Sequence, residues 1–197
     1  MSVTLEIIPE GAKPQVRALL DRYLAELSVY GKVDPSYPYF EAYWREPGLR
    51  WPYFLRCHEA VIGFAFVRRL GDGHFSMAEF FIDHGARGKG HGVEAAARVM
   101  SKHPGRWELT IFEHNTPAQR FWPVAIAAAS ATQVSRTEER KETVYRFDCR
   151  QSSGPRGLHS HEPCHVRFPT RRNACCRPKV TSHGLTAAHP RSNIAAL

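Results

Sequence analysis

Between residues 77 and 122 the chain gathers the side chains that could hold an anion and move a proton. Gly85, Gly88, Gly90 and Gly92 fall close together and alternate with the cations Arg87 and Lys89. Glycine lets backbone N–H groups approach a phosphate closely, and a helix that starts there adds about half a positive charge. Glu79, His84 and His114 lie on either side of the loop and can each accept a proton. An unperturbed histidine titrates near neutrality. A carboxylate on the otherwise apolar run Ala78-Glu79-Phe80-Phe81 would have its pKa raised by desolvation. Anion binding beside proton transfer is the chemistry these residues point to.

The glycine loop fits neither of two common phosphate loops. A dinucleotide fingerprint needs G-x-G-x-x-G, whereas the glycines from Gly88 run G-x-G-x-G, and no Ser or Thr follows Lys89 as a triphosphate loop requires. Arg87-x-x-Gly90-x-Gly92 instead resembles the acetyl-CoA signature, Gln or Arg-x-x-Gly-x-Gly or Ala, of the GCN5-related N-acetyltransferases (GNAT). The segment Asn115-Thr116-Pro117-Ala118-Gln119-Arg120-Phe121-Trp122 resembles that family's Asn-x-x-Ala-x-x-Leu-Tyr. The two follow in the family's order and at about its spacing. The resemblance covers residues 1–149 and is strongest over 60–122.

The resemblance implies acetyl-CoA as acetyl donor and a primary amine, on a small molecule or a protein, as acceptor. Backbone amides of Arg87, Gly88, Lys89, Gly90, His91, Gly92 and Val93 would hold the pyrophosphate. A bulge near Phe81 and Ile82 would aim an amide at the thioester carbonyl. Asn115, Ala118 and Trp122 would lie against the pantetheine arm. Glu79 is the first candidate base, since family members often carry a glutamate on this strand, and His114 is the second. The family's usual tyrosine is replaced by Trp122, whose indole N–H is a donor that does not ionise at ordinary pH. The general-acid role is therefore open, and a non-catalytic acyl-CoA sensor is the alternative this leaves. A homodimer is compatible with the resemblance.

The elements that must position these residues can be read from periodicity. Residues 3–8 alternate as a strand, and from Pro14 the stripe Val16, Leu19, Leu20, Tyr23, Leu24 and Leu27 predicts a helix packed on a sheet. Residues 30–53 are rich in Tyr, Trp and Pro and include a short helix over about 37–46. Their rings are read either as walls of the acceptor site or as a cap on the sheet. A hairpin of 51–57 and 60–70 follows, with Ile62, Phe64 and Phe66 on one face. The strand 74–83 leads into the glycine loop, and residues 93, 96, 97 and 100 mark the helix after it. Strand 106–113, a helix over 116–129 kinked or shortened by Pro123, and a hairpin of 130–136 and 142–149 complete the domain. The order predicts an α/β (α+β) fold: a mixed central sheet with flanking helices and one parallel crossover.

Composition separates residues 150–197 from the domain. From Gln151 onward there are seven Arg or Lys and one acid, so the tail carries +6 of the chain's +8. It has no hydrophobic period, and its composition predicts disorder. Such a charge attracts RNA or DNA weakly and without sequence preference, which is the one route to nucleic acid here. His159, His161, Cys164, His165, Cys175 and Cys176 lack the paired spacing of a zinc site, and no metal is expected. The five cysteines form no disulfide framework, no secretory leader is visible and no apolar run spans a membrane, so the expected location is the cytoplasm.

Overall fold

The computed structural model describes residues 2–150, and the expectations for the basic tail lie outside them. The alternating and continuous apolar runs become seven strands of one sheet, in the order β1-β2-β3-β4-β5-β7-β6. The strands are β1 (Val3–Ile7), β2 (Arg50–Cys57), β3 (Ala60–Gly71), β4 (His74–Ile82), β5 (Gly105–Phe112), β6 (Thr132–Glu139) and β7 (Glu142–Cys149). All neighbours are antiparallel except β4 and β5, which α3 (His91–Lys102) connects as the single parallel crossover. The mixed sheet agrees with the sequence reading. No helix among the described residues is long and apolar enough to cross a membrane.

Each face of the sheet carries its own core. On one face α1 (Lys13–Leu27) lays its whole predicted stripe over Phe64, Phe66 and Phe81. On the other, α3 and α4 (Thr116–Ala128) cover Ala65, Val67, Phe80, Ile82 and Trp107. Each of these fully buried aromatic side chains contributes about 2–3 kcal/mol by leaving water.

Several local expectations are corrected. The alternation fails at Ile62, which packs with the α3 side rather than with Phe64 and Phe66. The cause is a bulge: the β2–β3 register shifts between Leu55 and Arg56, leaving Ile62 as the extra residue. Pro123 does not shorten α4, which runs through it to Ala128. One backbone bond is lost there, and the buried Trp122, Ala125 and Ile126 hold the turn against the core. The β6–β7 connection is two residues, not five, because Arg140 (φ 50°) and Lys141 (φ 67°) both take left-handed conformations that match the twist of a tight hairpin. Only Ala42–Arg45 (α2) of the predicted 37–46 helix is helical.

The feature that shapes the site is where β4 and β5 part. They pair only over His74–Ser76 and Arg106–Glu108, although β4 continues to Ile82. Beyond that point β4 stays on β3, helped by Gly63, where a Cβ would come within 2.0 Å of the Phe81 carbonyl oxygen.

His103 closes the far end of α3. It is buried, Trp107 donates its indole N–H to the His103 carbonyl, and the Tyr53 hydroxyl pairs with His103 Nε2 at 2.8 Å. Burial pushes the imidazole down to about 4. Below its ordinary value of 6.5 the unfolded chain takes up a proton that the folded one refuses, so this stability is present above pH 6.5 and is lost as pH falls toward 4. Denaturant titrations should show this loss as about 2–3 kcal/mol between pH 6.5 and 4, and His103→Gln should remove it. An equal acid dependence in the variant would show that His103 does not carry it.

Candidate active site

The end of β4 runs into a loop held by local turns and by bonds to β3 and α1. The Asp83 amide donates to the Ile62 carbonyl at 2.8 Å, the Asp83 carboxylate accepts from the His84 amide, and a single 3-10 turn spans His84–Ala86. Gly88 (φ 73°) and Gly90 (φ 80°) then turn the chain through the left-handed region into α3. Gly90 is the N-cap and offers no side chain, so the first amides of α3 are left for an external acceptor. At Gly92 a Cβ would meet Phe121 at 3.2 Å and Ile82 at 3.3 Å, so glycine keeps the entrance open. Ile82, Arg87, Gly88, Gly90, Gly92, Val93 and Phe121 line one cavity of about 370 Å³.

The predicted cations are placed differently from one another. Arg87 turns inward: its Nε donates to the Ile82 carbonyl and its Nη2 to the Glu26 carboxylate, both at 2.7 Å, with the guanidinium over the Phe81 ring. It ties the loop to β4 and to α1 and is paired rather than held free for an anion. Lys89 is exposed, with its ammonium 3.2 Å from the Gly85 carbonyl. His91 begins α3, and its Nε2 lies 3.9 Å from the Cys57 thiol.

Backbone alternation decides which amides face the gap between β4 and β5. Because the Asp83 amide bonds to β3, those of Phe81 and Glu79 do as well, while the N–H groups of Phe80 and Ile82 point toward β5, where the ladder has ended. Of the two residues singled out from the sequence, Ile82 therefore offers its amide to the gap and Phe81 does not. The bulge itself lies at Ala78, where the β3–β4 register shifts between Phe66 and Val67, and not at Phe81-Ile82. On the far side of the gap Asn115 caps α4, its side-chain oxygen accepting from the Ala118 amide at 3.1 Å. Ala118 and Trp122 are fully buried, and Trp122 packs edge-on against Phe80 and Phe121.

Glu79 faces the α1 side of β4 and is only 3% exposed. Its Oε2 accepts a hydrogen bond from the Tyr23 hydroxyl at 2.5 Å. Burial pushes its carboxyl up to about 8, and the hydrogen bonds of Tyr23 and Tyr37, with the Arg68 charge, only partly oppose that. Burial also raises the neighbouring phenols, Tyr43 to about 12 and Tyr37 well above its ordinary value, and the Glu79 charge adds to both. Tyr37 sits at φ 44°, a conformation a bulky side chain rarely adopts. His114 is exposed on the turn after β5, and His84 is exposed in the loop. The sequence reading missed Tyr23, Tyr37, Tyr43 and Arg68 as company for Glu79. The one available signal was a hydroxyl-bearing residue, Tyr23, inside an otherwise aliphatic stripe.

The sequence matches the Acetyltransferase (GNAT) family profile over residues 16–123. No curated protein sequence matches the chain. Among solved structures it is similar to a GNAT-family acetyltransferase of Staphylococcus aureus Mu50, with 14% identity, a TM-score of 0.57 and coverage of 75% of this chain and 99% of that one. A PaiA N-acetyltransferase of Thermoplasma acidophilum in complex with coenzyme A aligns at 9% identity and a TM-score of 0.55, over 75% and 99% of the two chains. A chimera of the spermidine N-acetyltransferase SpeG from Vibrio cholerae and hSSAT aligns at 14% identity and a TM-score of 0.56, over 77% and 97%. At these identities the likeness is one of fold.

The raised carboxyl of Glu79 has a consequence for stability that needs no ligand. Its folded value, about 8, lies above the ordinary 4.5, so the folded chain keeps a proton that the unfolded chain releases. That contribution is fully present below pH 4.5 and is lost as pH rises through 8, a change on the order of 5 kcal/mol. Glu79→Gln should therefore become more stable relative to wild type from pH 5 to pH 9, read as the difference in Tm. A difference that stays constant over that range would place Glu79 in solvent.

Proposed function

The chain belongs to the GNAT family of acetyltransferases, and from that premise we propose that it transfers an acetyl group from acetyl-CoA to a primary amine. The observation that carries this reading is the joining of two features: a helix start left uncapped at Gly90, and a strand edge left unpaired at Phe80 and Ile82. A pyrophosphate suits the first, and an extended chain of amides ending in a thioester suits the second. Acetyl-CoA supplies an acetyl group already activated as that thioester.

The residues divide the work as follows. The amides from Gly88 to Val93, freed by the left-handed glycines, hold the pyrophosphate, and the helix dipole adds to their pull. Arg87 acts indirectly, fixing the loop to β4 and α1. The Ile82 amide, with that of Phe80, donates toward the place where negative charge develops on the carbonyl oxygen. The Asn115 side-chain amide faces the extended arm. Glu79 takes the proton from the attacking ammonium, and Tyr23 orients its carboxylate. A carboxyl titrating near 8 accepts that proton far better than a solvated one would. His114, exposed beside Asn115, is the second choice of base.

Purified protein incubated with acetyl-CoA and a panel of amines should yield free thiol and an acceptor heavier by one acetyl group, read by mass spectrometry. Gly90→Val should abolish the rise in Tm that CoA gives the wild type, because a β-branched residue cannot hold the left-handed turn and would fill the anion seat. Glu79→Gln should keep acetyl-CoA affinity while kcat/KM falls about a hundredfold, with loss of the rising limb near pH 8. Full activity in that variant would move the base to His114. Binding of CoA with no acetylated product from any amine would leave a binding module in place of an enzyme.

A further inference from the structure

We propose that Cys57 is a site of reversible thiolation, which exchanges with the disulfide of a small acidic thiol and thereby weakens donor binding at the glycine loop. The exchange stands on its own, whereas its effect on the donor rests on the acetyl-transfer reading above. Cys57 ends β2 as a free thiol, and His91, the first residue of α3, has its Nε2 3.9 Å from the Cys57 sulfur. Both side chains line a cavity of about 400 Å³, together with Ile62, Asp83, Ala86 and Lys89. The volume is that of a small-molecule site. This cavity shares no lining residue with the one beside Gly90 and Gly92, and the acetyl-transfer reading makes no use of it.

The setting of Cys57 differs from that of the other described cysteine. Cys149 is 3% exposed, and burial pushes its thiol up to about 11, with the Asp148 charge adding to that. Cys57 instead has an imidazole within reach and a cavity beside it. The thiolate is the nucleophile, and an unprotonated ring nitrogen can take the thiol's proton as it attacks. The charges around the cavity favour an anionic partner. Asp83 is already engaged, its carboxylate accepting from the Arg22 guanidinium and the His84 amide, each at 2.9 Å. Lys89 is exposed, donates to the Gly85 carbonyl and has no carboxylate partner among the described residues. Its ammonium is left for a carboxylate that arrives with the disulfide. The bulge supplies the apolar wall, because it turns Ile62 to the α3 side where Cys57 lies.

In the exchange His91 Nε2 takes the thiol proton, and the Cys57 sulfur attacks one sulfur of the incoming disulfide. A new S–S bond forms at Cys57 and the old one breaks. The electron pair of the old bond leaves with the departing thiolate, which collects a proton from His91 or from water. Cys57 is oxidised and the departing sulfur reduced, so the incoming disulfide is itself the oxidant. A free thiol reverses the step. The consequence for the donor follows from His91, whose ring meets Cys57 and whose amide is among those proposed to hold the pyrophosphate. A group joined to Cys57 fills the cavity and displaces that ring, and with it the first residue of α3. One residue thus links the thiol to the anion seat.

The full chain, reduced and then exposed to oxidised glutathione, tests this by peptide mass mapping. Cys57 should gain the adduct about tenfold faster than Cys149, and His91→Gln should slow it about tenfold. Cystamine, a cationic disulfide, should react more slowly than oxidised glutathione, and Lys89→Gln should narrow that difference at Cys57 alone. Desulfo-CoA, which has no thiol to reverse the adduct, should bind the thiolated protein about tenfold more weakly, and dithiothreitol should restore its affinity. Cys57→Ala treated in the same way should show no weakening, and the reversal by dithiothreitol makes the same point without a variant. Three results each overturn the inference while the donor site stands: reaction at Cys57 no faster than at Cys149, a rate indifferent to His91→Gln, or an adduct that leaves desulfo-CoA affinity unchanged. If desulfo-CoA fails to bind even the untreated protein, the acetyl-CoA reading and the coupling fall together, and the mass of the Cys57 peptide decides the exchange by itself.

Discussion

A parallel strand pair that stops after Ser76 leaves the end of β4 with a hydrogen-bonding edge facing inward and no strand to meet it. Backbone groups in that position are costly unless something satisfies them, and sheet edges normally lie in solvent or under cover. Here the divergence is built in from both sides. Gly63 lets β3 approach the Phe81 carbonyl so closely that β4 is kept on its antiparallel neighbour. The β5 strand meanwhile pairs along its full length with β7, from Gly105–Cys149 to Phe112–Glu142. Each strand is satisfied on its outer side, and the gap is what remains between them. The loop after β4 then reaches the start of α3 at the mouth of that gap, so the uncapped helix start and the open edge adjoin.

The bulge at Ala78 gives the same strand its second property. By adding one residue it puts Ala78 and Glu79 both on the α1 face, so a carboxylate lies among aromatic rings where a regular strand would have turned it away. Burial there raises the carboxyl, and the Tyr23 hydrogen bond holds it in one orientation. Arg87 joins these two features. Its bonds to the Ile82 carbonyl and to Glu26 of α1 link the glycine loop with the helix that also carries Tyr23. The arginine of the loop signature thus works as a brace in this structure.

How far the sequence revealed this depends on the range of the interaction. The backbone places of Gly90, Gly92 and Asn115 at helix starts could be read because they follow from local geometry, whereas the inward turn of Arg87 depends on Glu26, 61 residues away, and was not read. The stripe of α1 and the order of strands were legible for the same reason, since periodicity is local. Ile62 was misread because a bulge interrupts the period without changing composition. At Pro123 the sequence left a kink and a shortening open, and α4 running on to Ala128 under the packing of Trp122 and Ile126 excludes the second. Arg140 and Lys141 carry no turn signal, being neither Gly nor Asn, yet both adopt positive φ. Tyr23 was hidden by its own success as a core residue, and its bond to Glu79 joins residues 56 apart in sequence.

The aromatic segment after α1 explains why the acceptor stays illegible while the donor side is readable. Its rings had been open to two readings, as walls of a site or as a cap on the sheet. Tyr43 stacks on Phe66 at 4.2 Å, Tyr37 tilts over the same ring, and Phe40 and Trp44 meet edge-on at 5.1 Å. Lys13, Arg17 and Arg50 lie over the outer rings and hold them by cation–π contact. In this conformation the segment is a cap, and it covers Glu79, the carboxylate proposed as the base. An amine can meet a group only 3% exposed after the cap has moved or through a relaying water. Tyr37, held at φ 44° within this cap, is the point where backbone strain would favour such a movement. If Glu79 is the base, acceptor choice depends on the shape this segment leaves around it, and no motif or period in residues 28–46 encodes that shape.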